Sequence, residues 1–559
     1  MLEPKFQRFH EVINKKLFRV PAYQRGYSWT KRQRTDLFVD LRKLKQLNRD
    51  EHFMATLVFR NTGETEEVGS DSFEILEIVD GQQRITTLIV LLKAIEKRLR
   101  EADSSTAEEL ADILVIDNGS LILLQTNHDA AATLDSYLRQ GDIEDEAGEV
   151  ITLHQKELIR AFRECEEFVV SWGDPIDLLR LIKNKVTFVF FVISDPAAVY
   201  TVFEVLNSRG LAVDWLDKMK SILMGVAFEN KVPASQAEAL EHRWSEIYRV
   251  LGRERVSDSD VLTFAATMRS SAPPGKGFQE QGAMEFFSEE CRSKRMSPKS
   301  VSDMFFEIAD ELDRFLTDPR KRAISKIKQT RLLAAAILTS SLKQDPSSFD
   351  QVLRTWERCM FRFYCLAGKD ARDKVGGSVR LASQLHRGEY TTDRLLKQIE
   401  EITKLDFPEV LDRMREAPVY WDWSGSREAL VYLFYKYEEH LAKEAGEQIS
   451  EETWSKIWSS SPDKTIEHIY PQEAGGQWKG KLRQGVEAES VVHRLGNLLI
   501  LPPGLNSKCG NSGFAEKKQI YRQTGLRHVL EVCDVADWNV RAIENRGESL
   551  LEWIRQHWR

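Results

Sequence analysis

The chain has 559 residues, of which 42% are hydrophobic and 30% charged, and its formal net charge is −8. This composition excludes a disordered or fibrous chain, and the length favours about three or four domains. No apolar run approaches the roughly 18 residues of a membrane span, and the six cysteines form no CxxC pair, which argues against a zinc cluster or a disulfide framework. The starting segment MLEPKFQRFH also lacks the apolar stretch of a signal peptide, so we expect a cytoplasmic protein.

Basic residues cluster locally although the net charge is negative. The clusters lie in residues 5–34, 320–331 and 479–527. Phosphates are contacted by such patches rather than by the total charge, so the clusters are compatible with nucleic-acid binding. A solvated surface is the alternative for each of them.

The first part of the chain, residues 1–230, alternates strand-like and helix-like segments, which predicts an α/β domain. The predicted elements are strands at 53–60 and 73–79, a helix at 81–100, a strand at 186–194 and a helix around Tyr200, Phe203 and Leu206. The strand at 186–194 reads VTFVFFVIS, and its β-branched and aromatic residues indicate a buried position in a sheet.

A strand-to-helix turn in this domain has the features of a phosphate site. Residues 78–88 read IVDGQQRITTL, where Asp80 can cap the helix and Gly81 permits the tight turn. The N–H groups and the positive dipole end of a helix start attract phosphate, and the guanidinium of Arg84 suits phosphate oxygens. The neighbouring Gln82 and Gln83 offer donors and acceptors to a nucleotide or a water. The alternative is an ordinary capped turn.

Two further segments accompany this turn. Residues 20–29 read VPAYQRGYSW, and residues 203–211 read FEVLNSRGL, with DKMK following at 217–220. Taken alone, the second is also typical of a helix end with a surface arginine. Together and in this order, the three segments resemble the GmrS-type domain of GmrSD-like restriction proteins, which has a ParB/sulfiredoxin-like fold.

The resemblance implies a domain that binds and hydrolyses a nucleoside triphosphate, whether GTP, ATP or another. It assigns ten residues to the pocket: Tyr23, Gln24, Arg25, Asp80, Gly81, Gln82, Gln83, Arg84, Asn207 and Arg209. One departure is Ala55, where the family often has glycine, and this puts the detail of the pocket in question.

Residues 231–418 have helical periodicity almost throughout and carry no recognisable catalytic constellation. Residues 272–277 read APPGKG, which predicts a loop, and the spacing of a phosphate-binding loop is absent. We expect this region to be a helical linker or scaffold.

The last part, residues 419–559, begins with helices rich in Trp, Tyr and Glu and changes to loops, short strands and turns between 459 and 511. Residues 465–472 read TIEHIYPQ, residues 494–501 read RLGNLLIL, and LNSK at 505–508 precedes a helix. This order of strand, loop, strand and helix predicts a ββα metal finger.

A finger of this kind can hydrolyse a phosphodiester, which requires a base to activate water and a cation to stabilise the developing charge. His468 can be the base, because an imidazole titrates near neutral pH. Asn497 on the paired strand can hold its ring. Glu467 points the other way and, with Asn506 at the helix start, can bind a cation. Such oxygen ligands suit Mg²⁺ or Mn²⁺ rather than zinc.

A structural strand histidine is the alternative, and His493 and Asn511 are spare candidates for the same roles. Together the three segments resemble the His-Asn-Asn nuclease domain of GmrD, in the His-Me finger (HNH) superfamily. The resemblance implies catalytic roles for His468, Asn497, Glu467 and Asn506, with Glu467 and Asn506 as metal ligands. The family often has Asp where this chain has Glu467, so the metal preference could differ.

Both signatures on one chain resemble single-chain type IV restriction enzymes of the GmrSD type, whose relatives sense modified cytosine or phosphorothioate DNA. This implies a nucleotide-regulated, modification-dependent DNA endonuclease that cuts or nicks modified double-stranded phage DNA. We expect no membrane contact. The sequence does not decide whether the protein forms a homo-oligomer. One alternative is a nucleotide-gated DNA-binding regulator with an inactive nuclease fold. Another is a ParB-like partition factor, which leaves the C-terminus unexplained.

The expected fold class is α+β multidomain. A ParB/sulfiredoxin-like α/β domain is predicted for residues 1–230, a helical linker or scaffold for 231–418, and a GmrD-type nuclease domain with its finger for 419–559.

Overall fold

The structure of the protein is a computed structural model. It describes residues 5–21, 24, 26–47, 51–116, 121–126, 130–142, 152–193, 215–230, 232–416, 427–482 and 487–558. The chain forms two compact units, which are Met1–Leu262 with Gln279–Asp310, and Thr263–Phe278 with Glu311–Arg559. The division of the sequence into three domains stays a prediction. Within the described residues, no helix is both long and apolar enough to cross a membrane.

The first unit contains a mixed six-stranded sheet in the order β1-β8-β3-β4-β2-β7. The strands of this unit are β1 (Lys5–Arg8), β2 (Lys16–Val20), β3 (His52–Val68), β4 (Asp71–Asp80), β5 (Val115–Ile116), β6 (Leu121–Ile122), β7 (Leu124–Thr126) and β8 (Val186–Ile193). The β1–β8 and β3–β4 pairs are antiparallel, and the other neighbours in this sheet are parallel. Strands β5 and β6 form a separate two-stranded ribbon.

Twelve helices begin in the described part of this unit, and the two that contain Thr263 and Glu311 continue into the second unit. The twelve helices are α1 (Phe9–Ile13), α2 (Lys31–Gln46), α3 (Gln82–Leu99), α4 (Ser104–Leu114), α5 (Ala131–Gln140), α6 (Leu153–Trp172), α7 (Pro175–Lys185), α8 (Trp215–Glu229), α9 (Ala234–Leu251), α10 (Asp258–Arg269), α11 (Glu280–Arg292) and α12 (Pro298–Thr317). Helix α3 packs against α4, α6 and α7 and is buried on nearly every side, as its run of Ile, Leu and Val requires. It is therefore the central helix of the first unit.

The predicted strands at 53–60, 73–79 and 186–194 and the predicted helix at 81–100 are confirmed as β3, β4, β8 and α3. Strand β3 is longer than expected because its second half forms a polar hairpin with β4 that is largely exposed, so no apolar alternation marks it. The predicted helix around Tyr200, Phe203 and Leu206 lies outside the described residues. The ParB/sulfiredoxin-like assignment stays a prediction.

The second unit is helical, as predicted for the middle of the chain. Its helices are α13 (Pro319–Ile324), α14 (Lys328–Leu338), α15 (Pro346–Met360), which continues as a π-helix (Phe361–Leu366), α16 (Val375–His386), α17 (Thr392–Ile402), α18 (Phe407–Glu416), α19 (Arg427–Glu444), α20 (Glu451–Trp458), α21 (Glu489–Val492), α22 (Pro503–Cys509), α23 (Phe514–Tyr521), α24 (Arg527–Cys533) and α25 (Val540–Trp558). The loop predicted at 272–277 is present.

The second unit also holds an antiparallel pair of short strands, β9 (Ile466–His468) and β10 (Leu498–Ile500). His468 lies opposite Leu498 in this pair. A 3₁₀ turn, Leu495–Asn497, leads into β10, and α22 and α23 follow it. The strands are only three residues long, and every residue of both is buried, so the pair lies inside the unit rather than at its surface.

Candidate active site

Strand β9 and helix α22 place three predicted site residues around one cavity. The cavity has a volume of about 350 Å³ and is lined by Asp463, Ile466, Glu467, His468, Pro471, Gln472, Asn506, Gly510 and Asn511. Polar groups dominate this lining. Among the described residues, Asn497 is the one predicted catalytic residue that does not line it.

The ring of His468 is held by two side chains. Its Nε2 lies 2.9 Å from Nδ1 of His493, with the two ring planes nearly perpendicular at 82°. Nε2 of Gln472 lies 3.3 Å from the same nitrogen and 3.4 Å from Nδ1 of His468. Burial lowers the pKa of His468 to about 3, and the charges of His493 and Lys517 act in the same direction. The imidazole is therefore neutral at neutral pH, as a general base must be.

Asn497 does not hold the ring of His468, so that part of the sequence interpretation is wrong. Its Oδ1 accepts hydrogen bonds from the Tyr470 N–H at 2.8 Å and from Trp538 Nε1 at 3.0 Å. Its Nδ2 donates to the carbonyl oxygens of Tyr470 at 2.9 Å and Val492 at 2.7 Å. The residue ends the 3₁₀ turn before β10 rather than lying on the strand. Its buried amide therefore fixes the main chain just after His468 and just before His493.

Glu467 points away from His468, as predicted from strand alternation, but its carboxylate is not open. Oε1 accepts from Lys517 Nζ at 2.7 Å and from Tyr521 OH at 2.9 Å, and the Lys517 ammonium also donates to the His468 carbonyl at 2.8 Å. Burial raises the pKa of Glu467, and the ammonium counteracts this rise. A cation at Glu467 would have to share the carboxylate with Lys517.

Asn506 lies in the middle of α22 rather than at the helix start. Its Nδ2 donates to the carbonyl oxygens of Lys464 at 3.0 Å and Ile466 at 3.3 Å. Because both partners are acceptors, they fix the amide with its nitrogen toward β9. Asn506 also lines the cavity.

The donors of this cavity fit a magnesium-type cation in their chemistry. No group of three or more His, Cys, Asp or Glu side chains able to hold a metal occurs in the described part of the chain. Mg²⁺ does not need such a cage, since it keeps several waters and uses one or two protein oxygens together with substrate phosphate. Asn506 Oδ1 and the carboxylate of Glu467 are oxygens of this kind. Their assignment as metal ligands stays a prediction.

The first unit brings two of its predicted segments together. Gln24 Nε2 donates to the carbonyl of Val79 at 2.6 Å, at the end of β4. Gln83 Oε1 accepts from the Ser28 N–H at 2.8 Å, and its Nε2 donates to the Gly26 carbonyl at 3.0 Å. The amide of Gln83 is therefore used to hold the loop, so the expectation that it offers these atoms to a nucleotide is wrong.

The turn into α3 differs from the prediction at its cap. The N-cap residue is Gly81 in the left-handed region, with φ of 96°, so Asp80 does not occupy the N-cap position expected of it. A Cβ at Gly81 would lie 2.3 Å from Leu57, so both backbone shape and packing require glycine. Gln82 is buried and Arg84 is half-buried. Four pocket residues lie outside the described residues: Tyr23, Arg25, Asn207 and Arg209.

Two buried lysines were absent from the predicted site. Lys517 pairs with Glu467, and Lys220 Nζ donates to the Gln24 carbonyl at 3.3 Å. Lys220 stands in the DKMK segment at 217–220, and Lys517 stands in a helix that follows LNSK, where residues 516–518 read EKK. A lysine gives no sequence signal of burial, because most lysines are exposed.

Comparison with known families identifies the class of the protein at both ends of the chain. Residues 9–224 match the N-terminal domain of the GmrSD restriction endonuclease, and residues 408–553 match the C-terminal domain of GmrSD restriction endonucleases. The protein is accordingly a DNA endonuclease of phage defence, and it binds DNA. The chain belongs to the GmrSD restriction endonuclease family, which confirms the resemblance. No curated protein matches it.

Proposed function

We propose that this endonuclease hydrolyses DNA phosphodiesters in the cavity at His468, as a His-Asn-Asn site of the His-Me finger type. The observation that carries the proposal is a buried imidazole in a polar cavity that it shares with the amide of Asn506. His468 takes a proton from the attacking water. Asn497 keeps the main chain beside the base in place through its four hydrogen bonds.

Asn506 and Glu467 are the residues that would hold Mg²⁺ or Mn²⁺. When bound, such a cation stabilises the negative charge that develops on the phosphate and the leaving oxygen. Lys517 is paired with Glu467 at 2.7 Å. Its buried ammonium neutralises Glu467 when no other cation does, and this explains why a carboxylate is tolerated in so buried a place.

We further propose that the first unit binds and hydrolyses a nucleoside triphosphate that regulates cutting. The start of α3 supports this, because the N-terminus of a long helix attracts phosphate through its dipole and Arg84 stands in the first turn of this helix. Lys220 adds a buried positive charge beside the same loop. The proposed substrate is double-stranded phage DNA that carries a base or backbone modification.

The test is cleavage of matched DNAs by the full chain with Mg²⁺. Unmodified, modified-cytosine and phosphorothioate DNAs are compared with and without GTP or ATP.

His468→Ala should abolish cutting and leave nucleotide hydrolysis nearly intact. His557→Ala is the matched control, because this histidine packs its ring on Trp553 and does not line the cavity. A His468→Ala protein that cuts at the wild-type rate would refute the site. Wild-type protein that binds these DNAs without cutting any of them would instead support an inactive, regulatory fold.

A further inference from the structure

His493 makes the shortest contact to the ring of the proposed base. Its Nδ1 lies 2.9 Å from Nε2 of His468, and the perpendicular arrangement directs the edge of one ring at the other. We propose that His493 is the positioning residue that holds His468 in its working orientation and tautomer. This inference rests on the proposed function of the cavity.

His493 acts through His468 rather than on the substrate. His468 and Gln472 are among the described residues that line the cavity, and His493 is not. His493 contacts Nε2 of the His468 ring, so we assign the role of base to Nδ1, which Gln472 Nε2 approaches to 3.4 Å.

The main chain holds the two histidines at this separation. His493 ends the short helix α21, and the carbonyl of the residue before it, Val492, accepts a hydrogen bond from Asn497 Nδ2. The same amide binds both main-chain groups of Tyr470, two residues after His468. Asn497 therefore sets the distance between the two segments, and His493 fixes the orientation of the His468 ring.

The chemistry requires one direction for the hydrogen bond between the rings. A neutral imidazole carries one N–H, so it has one donor nitrogen and one acceptor nitrogen. If His493 donated, the proton of His468 would lie on Nδ1, and that nitrogen could not accept a proton from water. His468 must therefore donate from Nε2 to Nδ1 of His493. Nδ1 of His468 then keeps its lone pair, and the nearby Gln472 Nε2 faces an acceptor.

Two substitutions at residue 493 separate an acceptor from a space-filling side chain. In His493→Asn, the amide oxygen takes the place of Nδ1 and can accept from His468. In His493→Leu, the volume is similar but no acceptor remains. We expect His493→Leu to lower kcat about tenfold at unchanged KM, the effect of losing one orienting hydrogen bond, and His493→Asn to regain most of it. His557→Leu is the control.

A second measurement does not depend on cleavage. Nitrogen chemical shifts of ¹⁵N-histidine-labelled full-length protein report which nitrogen of His468 carries the proton. We expect Nε2–H in the wild type and in His493→Asn, and a mixture of tautomers in His493→Leu. Equal kcat in the wild type and His493→Leu, no gain in His493→Asn, or an Nδ1–H tautomer in the wild type would each overturn the inference. Wild-type protein that cuts no DNA but shows the expected tautomers would refute the proposed function and leave the hold of His493 on the ring standing.

Discussion

At the scale of single residues, the site depends on buried amides and charges whose partners the sequence does not reveal. Asn497 and His468 could be identified from their motifs, but the choice of partner could not, because it follows from the path of the chain between residues 468 and 497. The sequence interpretation paired Asn497 with the ring of His468. In the structure, the side-chain amide of Asn497 bonds to the main chain of Tyr470 and Val492. The ring of His468 contacts His493 instead.

Asn497→Leu should therefore cost stability as well as activity. It leaves the Tyr470 N–H, two carbonyl oxygens and the Trp538 indole N–H buried without this partner, at about 1–3 kcal/mol for each unsatisfied group. We expect the melting transition of the second unit to fall by several degrees, whereas His468→Ala should lower cutting alone. Calorimetry on both full-length variants checks this. If Asn497→Leu lost activity with an unchanged transition, the amide would instead act on the chemistry directly.

Glu467 should be tested with its partner in mind. Removing the carboxylate leaves the Lys517 ammonium buried and unpaired, which typically costs about 3–5 kcal/mol. In Glu467→Ala, lower stability and weaker metal binding would both reduce cutting, so this variant does not separate the two effects. Glu467→Gln with Lys517→Met removes the pair as a unit and should regain most of the stability.

If Glu467 holds the cation, this double variant should need more Mg²⁺ or Mn²⁺ for half-maximal cutting, as should Asn506→Ala. A metal titration of the cleavage rate measures this. Unchanged metal dependence in both variants, at normal stability, would show that the ligands lie elsewhere.

At the scale of elements, long apolar strands and helices are predictable and short polar ones are not. Helix α3 and strand β8 could be predicted from their sequences, because both consist mostly of apolar residues, which indicate burial. Strands β9 and β10 are three residues each, too short for periodicity, and were found through their motif instead. The N-cap of α3 was predicted wrongly because Gly81, in the left-handed conformation, occupies that position. Asp80 is the last residue of β4 and precedes the N-cap.

The turn before β10 should be intolerant of a side chain. A Cβ on Gly496 would lie 2.0 Å from the Ile543 carbonyl and 2.8 Å from the Gly547 nitrogen in α25. Arg546 of that helix also donates to the Gly496 carbonyl at 2.8 Å, so the backbone cannot withdraw freely. Gly496→Ala should push the turn away from α25, lower the melting temperature and reduce cutting.

Gly504→Ala is the matched control, because a Cβ at this position in α22 meets nothing within 4 Å. Alanine there should be neutral or slightly stabilising, by up to about 1 kcal/mol. Thermal unfolding and cleavage of both variants give the comparison. Equal behaviour of the two would show that the contact of the turn with α25 can relax.

At the scale of the whole molecule, the two signatures on one chain lead us to predict that nucleotide state and DNA cutting are coupled. The family assignment covers residues in both units, and the proposed nucleotide site and the proposed nuclease site lie in different ones. Sequence motifs predict where both proposed sites lie. They could not give the direction of coupling, because this depends on the free energies of alternative states rather than on residue types.

Arg84→Ala tests the coupling. Loss of a charge-assisted hydrogen bond to phosphate typically costs about 1.5–3 kcal/mol, so nucleotide affinity should fall roughly ten- to a hundredfold. Arg98→Ala is the matched control, because this residue lies on the same helix but pairs with Glu101 at the surface. Nucleotide binding and DNA cutting are measured on the same preparations, across nucleotide concentrations. If nucleotide state biases the nuclease, the nucleotide concentration needed to change cutting should shift in Arg84→Ala by the same factor as the affinity, since the nuclease then responds to the fraction of protein that carries nucleotide. Normal nucleotide binding by Arg84→Ala would refute the pocket. Lost binding with unchanged cutting at every nucleotide concentration would mean that the chain carries two independent enzymes.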